Sequence, residues 1–314
     1  ATPSWAATAR PLPAGLSIAR PSDSIESVVT KAGTLDLLAS GHGVEVVRGS
    51  LKSGERLNFV PAEAGMPSTH EVCMLIDGVL VAPDALGAQR LSTGSLITSE
   101  GLLEPVGFTA EGDVRFVYIT SSPMFHHISH DMNELRRLAV DIEVTDGYTA
   151  DHCERLQRLS YATGRELGLS ASQLYALDFG AYLHDVGKVR VPPSILTKPG
   201  ALDADEWAVI KKHPTFGREI LAPTFMRGAG TIVEQHHERS DGSGYPYGLT
   251  DREIRIEAAI VAVADTYDAM TTDRPYRNGR SQAEALSELA SLAGTHHPLE
   301  VIRAFRSAVA LIER

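Results

Sequence analysis

At 314 residues, 43% hydrophobic and 22% charged, the chain is long enough for two ordinary globular domains, each with its own core. A formal net charge of −11 argues against nucleic acid or acidic membranes as partners, because both are held by summed positive charge. Cys73 and Cys153 lie far apart without metal-type spacing, no apolar run approaches the ~18–20 residues of a membrane helix, and the first residues lack a signal-peptide core. A reducing, cytoplasmic setting is the expectation, and any phosphate ligand has to be attracted locally.

Residues 1–125 are punctuated by glycine and proline about every 8 to 12 residues, with β-type runs at Gly43–Val47, Glu71–Ile76 and Val114–Ile119 between them. This predicts an all-β roll or barrel. The pattern SGERLNF, HEVCMLIDGVLV, LSTGSLITSEGLL, VRFVYI resembles the β-roll, or jelly roll, shared by cupins and cyclic-nucleotide-binding domains, over roughly residues 30–122. A catalytic cupin would show two closely spaced histidines before a glutamate, and only His70-Glu71 occurs. Glu100 stands where the cyclic-nucleotide family has its ribose contact, but no phosphate-binding arginine is near Val106-Gly107. A degenerate sensor, a pocket for a small molecule and a dimerisation module all fit this half, and a homodimer is the expected assembly.

From Phe125 the texture becomes helical. Residues 126–147, around HHISHDMNELRRLAVDIEV, read as a connector helix, and residues 148–314 as an all-α domain. VPPSILTKPGALDADEW is a loop, closed by Asp203 and Glu206 as a capping box that opens the next helix.

Twelve histidines are present, most of them expected to be ordinary surface or core residues. Placement singles out a few. In a helix read from Thr149, His152 is in phase with Leu156, Leu159, Thr163 and Leu167; His184 follows Leu174, Leu177 and Ala181, with Asp185 beside it. Asp265 lies within AAIVAVADTYDAM, in phase with Val261 and Asp268. Burying such a carboxylate costs several kcal/mol unless a cation or hydrogen bonds compensate it. Imidazole with carboxylate suits Fe, Mn, Zn or Ni better than Ca or Mg. An aspartate next to a ligating histidine can bridge two such ions about 3.5–4 Å apart, with a bridging hydroxide as the nucleophile.

His184-Asp185-Val186-Gly187-Lys188 and HHERSDGSGYPYGL from His236 resemble the two signature blocks of the HD-GYP family. YTADHCERL with His152, ILTKPGAL, KKHPTFG with His213, VADTYDAM with Asp265, and RPYR from Arg274 follow the family order, so the resemblance runs over about residues 135–310. It implies a bacterial metal-dependent phosphodiesterase that opens cyclic di-GMP to pGpG and, in some members, on to GMP. It further implies that His152, His184, Asp185 and Asp265 hold one metal and Asp185, His213, His236 and His237 the other, with Fe or Mn expected and Ni or Zn compatible. Asp185 and Lys188 would act in catalysis. Lys188, Arg274 and Arg277 would contact the phosphates, and Tyr245 would line the substrate cleft.

One departure stands out: Tyr148 occupies the place of the glutamate found in members with a third metal. Two ions are therefore expected, with Asp268 supporting the ligands rather than joining them. His42, His70, His126, His127, His130, His296 and His297 are expected to have no such role, and Cys153 to be packing. A second class stands beside the phosphodiesterase, a signalling module that binds the cyclic dinucleotide or a protein partner with little turnover, and within the phosphodiesterase class hybrid cyclic GMP-AMP is an alternative substrate. A hydrolase for another nucleotide is disfavoured by the GYP block.

Overall fold

The computed structural model of the chain describes residues 23–30, 32–61, 69–83, 86–122, 125–145, 151–273 and 278–312. They fall into two compact units, one of residues up to 102 and 107–126 and the other of residues 103–106 and from 127 onward, each described by itself.

The first is an antiparallel sheet of eight strands: β1 (Glu26–Val29), β2 (Gly33–Gly41), β3 (Val44–Leu51), β4 (Arg56–Phe59), β5 (His70–Val81), β6 (Arg90–Ser92), β7 (Leu96–Glu100) and β8 (Val106–Thr120). Their order is β1-β2-β3-β8-β5-β6, with β4 on β8 and β7 on β5. The three expected β-type runs lie in β3, β5 and β8, which are neighbours, in registers such as Val47↔Tyr118 and Leu75↔Phe116. Alternation drives this arrangement: Cys73, Leu75 and Leu80 on β5 and Phe108, Ala110, Val114 and Phe116 on β8 are buried on one face. Polar groups are buried there too, among them Glu45, Glu71 and Thr120. Buried Glu71 accepts hydrogen bonds from the hydroxyls of Ser99 on β7 and Tyr118 on β8.

The second unit is helical. Its elements are α1 (Phe125–Thr145, from His127 onward), α2 (His152–Glu166), α3 (Ala171–Tyr182), a 3-10 turn (Val186–Arg190), α4 (Pro193–Leu196), α5 (Ala204–Ile210), α6 (His213–Leu221), α7 (Gly230–Gln235), α8 (Ile256–Thr271), α9 (Gln282–Ser291) and α10 (Leu299–Ile312). The expected capping box is present at Asp203 and Glu206, with others at Ser170/Gln173 and Ser281/Glu284. α8 is apolar on every side from Ala258 to Ala264 and is buried throughout that stretch, as an all-round hydrophobic helix must be. It shares a core with Leu156 and Leu159 of α2, Leu177 of α3, Leu289 of α9 and Phe305 of α10. A second core joins Leu135 and Ala139 of α1 to Tyr182, Val186, Leu221 and Val233. The segment expected as a connector is thus a 21-residue helix whose later turns pack inside the helical unit. None of the described helices is long and apolar enough to cross a membrane.

Candidate metal centre

Three histidines are oriented by the same local device. Each lies just beyond a helix C-terminus, where the last carbonyls have no partner within the helix. Nδ1 of His184 bonds to the carbonyl of Ala181 at the end of α3 (3.0 Å), that of His213 to Ile210 at the end of α5 (2.8 Å), and that of His236 to Val233 in the last turn of α7 (2.6 Å). A carbonyl only accepts, so Nδ1 carries the proton in all three and the lone pair is left on Nε2. Here the structure corrects an expectation: α3 stops at Tyr182, so His184 is not on the helix face of Leu174 and Leu177 but in the turn past it, with Asp185 opening the 3-10 turn.

His152 is oriented differently. It begins α2, and its Nδ1 lies 2.7 Å from Oδ2 of Asp268, which in turn receives a two-pronged contact from Arg155 (Nε–Oδ1 2.6 Å, Nη2–Oδ2 2.9 Å). Burial would raise the Asp268 carboxyl, but hydrogen bonds from His152 and Arg155 outweigh it and hold it at about 2, fully ionised. Asp268 therefore supports a ligand, as its place in the sequence suggested.

These supports bring all seven expected ligands together. Asp185, His213, His236 and His237 form one set and His152, His184 and Asp265 another, with the donor atoms within each set no more than 4.8 Å apart. Asp185 lies between them: Oδ1 is 3.1 Å from His213 Nε2 and 3.8 Å from His236 Nε2, while Oδ2 is 3.2 Å from His184 Nε2. Nε2 of His184 and Oδ1 of both Asp185 and Asp265 are buried yet make no hydrogen bond to any described residue. Atoms of this kind at the centre of a cluster fit a cation.

The electrostatics agree. Burial opposes a charge on His184, but Asp185 and Asp265 overcome it and lift the imidazole to about 9, so the field at this position favours positive charge. His236 and His237 are pushed down, first by burial and then by neighbouring histidines, which keeps their lone pairs available. Burial raises Asp185, yet Lys188 and His184 hold it well below the usual carboxylate range.

The glycines of both signature blocks have steric reasons. A Cβ on Gly187 would lie 1.9 Å from the His213 carbonyl oxygen and 2.5 Å from Gly217 N, so only glycine lets α6 bring His213 up to Asp185. A Cβ on Gly244 would lie 2.5 Å from Arg239 N and 2.6 Å from the His237 carbonyl oxygen, where the GYP loop crosses the histidine pair. Tyr245 then stacks on His237 with centroids 4.7 Å apart and planes at 27°. Lys188 donates to Asp185 Oδ2 at 2.8 Å. Arg274, Arg277 and Tyr148 lie outside the described residues.

Two supports were not singled out by sequence. Arg155 is one. Glu143 of α1 is the other: buried, it accepts from Cys153 N at 2.6 Å and so satisfies the start of α2 beside His152.

The family model described as HD domain matches residues 139–298 of the 314, and the chain belongs to that family. It is 45% identical over 167 residues to a protein of Thermotoga maritima named cyclic di-GMP phosphodiesterase, covering 52% of this chain and 45% of the relative. A cyclic di-GMP phosphodiesterase response regulator of Xanthomonas campestris pv. campestris is 42% identical over 163 residues, covering 51% and 43%. A 3'3'-cGAMP-specific phosphodiesterase of Vibrio cholerae is 38% identical over 162 residues, covering 51% and 31%. The chain spans less than half the length of each.

Proposed function

We propose that the helical unit hydrolyses a phosphodiester bond of a cyclic dinucleotide, cyclic di-GMP foremost, to the linear pGpG. The observation that carries this reading is Asp185, whose two oxygens face His213 and His184 and so belong to both ligand sets at once. Two divalent transition ions, Fe or Mn ahead of Ni or Zn, would be held by His152, His184, Asp185 and Asp265 and by Asp185, His213, His236 and His237, supplying Lewis-acid polarisation and an acidified water.

The chain's own residues do the rest. Lys188, which neutralises Asp185 in the free site, turns its ammonium to a phosphoryl oxygen when substrate arrives. Tyr245, fixed by its stacking on His237, gives the cleft a flat apolar wall. Arg274 and Arg277 are assigned to the phosphates on their motif alone. The names of the Thermotoga and Xanthomonas relatives support cyclic di-GMP. That of the Vibrio relative supports hybrid cyclic GMP-AMP as a second reading. In this proposal the β unit is regulatory and takes a small molecule, a reading supported by the interior Glu71, Ser99 and Tyr118 group.

Incubating Mn- or Fe-loaded protein with cyclic di-GMP should release pGpG, and Asp185→Ala should abolish it. A loaded wild type that binds the dinucleotide and releases no linear product would replace hydrolysis with a binding role.

A further inference from the structure

The cleft beside His237, Tyr245 and Asp265 is also lined by Arg239, Thr266 and His297, none of which belongs to the ligand sets. His297 lies in the turn between α9 and α10 and is only 5% exposed. The turn is tied to the chain that leaves the histidine pair: Ser240 N donates to the His296 carbonyl (3.2 Å) and Asp241 N to that of Thr295 (2.8 Å). His297 itself is fixed by N donating to the Leu292 carbonyl (3.2 Å) and by its own carbonyl accepting from Gly294 N (2.8 Å).

Its ring can be assigned a tautomer. Thr266 Oγ1 donates its proton to the Ala262 carbonyl at 2.8 Å, so towards His297 Nε2, 3.4 Å away, it can only accept. Nε2 therefore carries the hydrogen and Nδ1 a bare lone pair. That Nδ1 is buried and makes no hydrogen bond to any described residue. Burial, then His296 and Arg239, push the imidazole down to about 4, which keeps Nδ1 an acceptor at neutral pH.

Nδ1 is a buried acceptor on a residue that lines the cleft, and an unmet acceptor of this kind calls for an N–H partner. A phosphate oxygen is itself an acceptor and cannot meet it. Arg239 is exposed, has no ion pair among the described residues, and offers donors to the same cleft. A purine edge presents an N–H donor next to an acceptor, in guanine and in adenine alike.

Resting on the phosphodiesterase reading above, we infer that His297 is a specificity residue whose Nδ1 accepts an N–H of a substrate purine base, with Arg239 donating to the acceptor beside it. The residue that sequence alone left without a role then reads the base, not the scissile phosphate.

The test compares two substitutions of opposite design in the metal-loaded chain. His297→Asn keeps an acceptor at the Nδ1 position; His297→Gln keeps the reach towards Thr266 and loses that acceptor. The readout is kcat/KM for cyclic di-GMP relative to that for bis(p-nitrophenyl) phosphate, a diester without a purine. Gln should lower this ratio about 10-fold through KM, while Asn stays near wild type. Repeating it with cyclic di-AMP identifies the base, since the loss should be confined to the dinucleotide whose edge His297 reads. An unchanged ratio for Gln with both dinucleotides, or equal losses for Gln and Asn, would overturn the inference. A wild type inert towards every dinucleotide overturns the phosphodiesterase reading and this inference with it, and is told apart because no variant is needed to see it.

Discussion

His184, His213 and His236 are held by main-chain carbonyls three residues earlier, whereas His152 is held by Asp268, a side chain that itself depends on Arg155. The two kinds of support fail in different ways. A carbonyl at a helix end cannot be removed by substitution and moves only if the helix moves, so those three orientations are as firm as the packing of α3, α5 and α7. The Asp268 carboxylate can be deleted singly, but while present it puts negative charge against His152 Nδ1 and makes Nε2 a stronger donor. The set containing His152 should therefore be the tunable one and the set containing His213 the rigid one.

The largest test attacks the rigid side through its backbone. Gly187→Ala puts a Cβ against the His213 carbonyl oxygen and Gly217 N, neither of which can yield without shifting α6. Stability should drop by about 3 kcal/mol or more, and the protein that remains folded should lose the metal held by Asp185, His213, His236 and His237. Denaturant unfolding and metal analysis read both. A Gly187→Ala protein with unchanged stability and full metal content would show that carbonyl-held histidines are not tied to helix packing. Next in size is Asp268→Asn, which removes charge but little volume. Affinity at the His152, His184 and Asp265 set should fall about 10- to 100-fold, with the other set unaffected, giving two classes of ion in a chelator competition. Equal weakening of both sets would erase the distinction.

The sequence announces the ligands more clearly than what holds them. Helical spacing points to His152, His184, Asp185 and Asp265, with Asp268 one turn beyond, whereas His213, His236 and His237 come with the resemblance to the HD-GYP motif blocks. Arg155 and Asp268 are 113 residues apart, and the Glu143 contact is made to a main-chain N–H that every residue but proline possesses. Neither leaves a local pattern. The carbonyls under His184, His213 and His236 are silent for the same reason, and the apolar spacing before His184 reads as helix because it continues past the point where α3 ends. His297 stayed hidden because its significance depends on a proton that Thr266 has already given to Ala262. In the β unit the strand runs were legible from alternation, but the adjacency of β3, β8 and β5 arises from pairing between residues such as Val47 and Tyr118, which alternation does not encode.

The smallest effect asks whether Arg155 acts by charge or by geometry. Arg155→Lys preserves the positive charge beside Asp268 but replaces a planar fork, with Nε and Nη2 on separate carboxylate oxygens and Nη2 also 3.2 Å from Thr272 Oγ1, by a single ammonium. If charge alone mattered, metal affinity at the His152 set would stay at the wild-type level. The two-pronged contact fixes the plane of the carboxylate, and that plane sets the line along which His152 Nδ1 donates, so an about 3-fold weakening is expected, smaller than for Asp268→Asn. Isothermal titration of the metal-free variant would resolve the difference. A loss as large as that of Asp268→Asn would mean that Asp268 is held in place by Arg155 alone, and His152 would then rank as the least secure ligand of the seven.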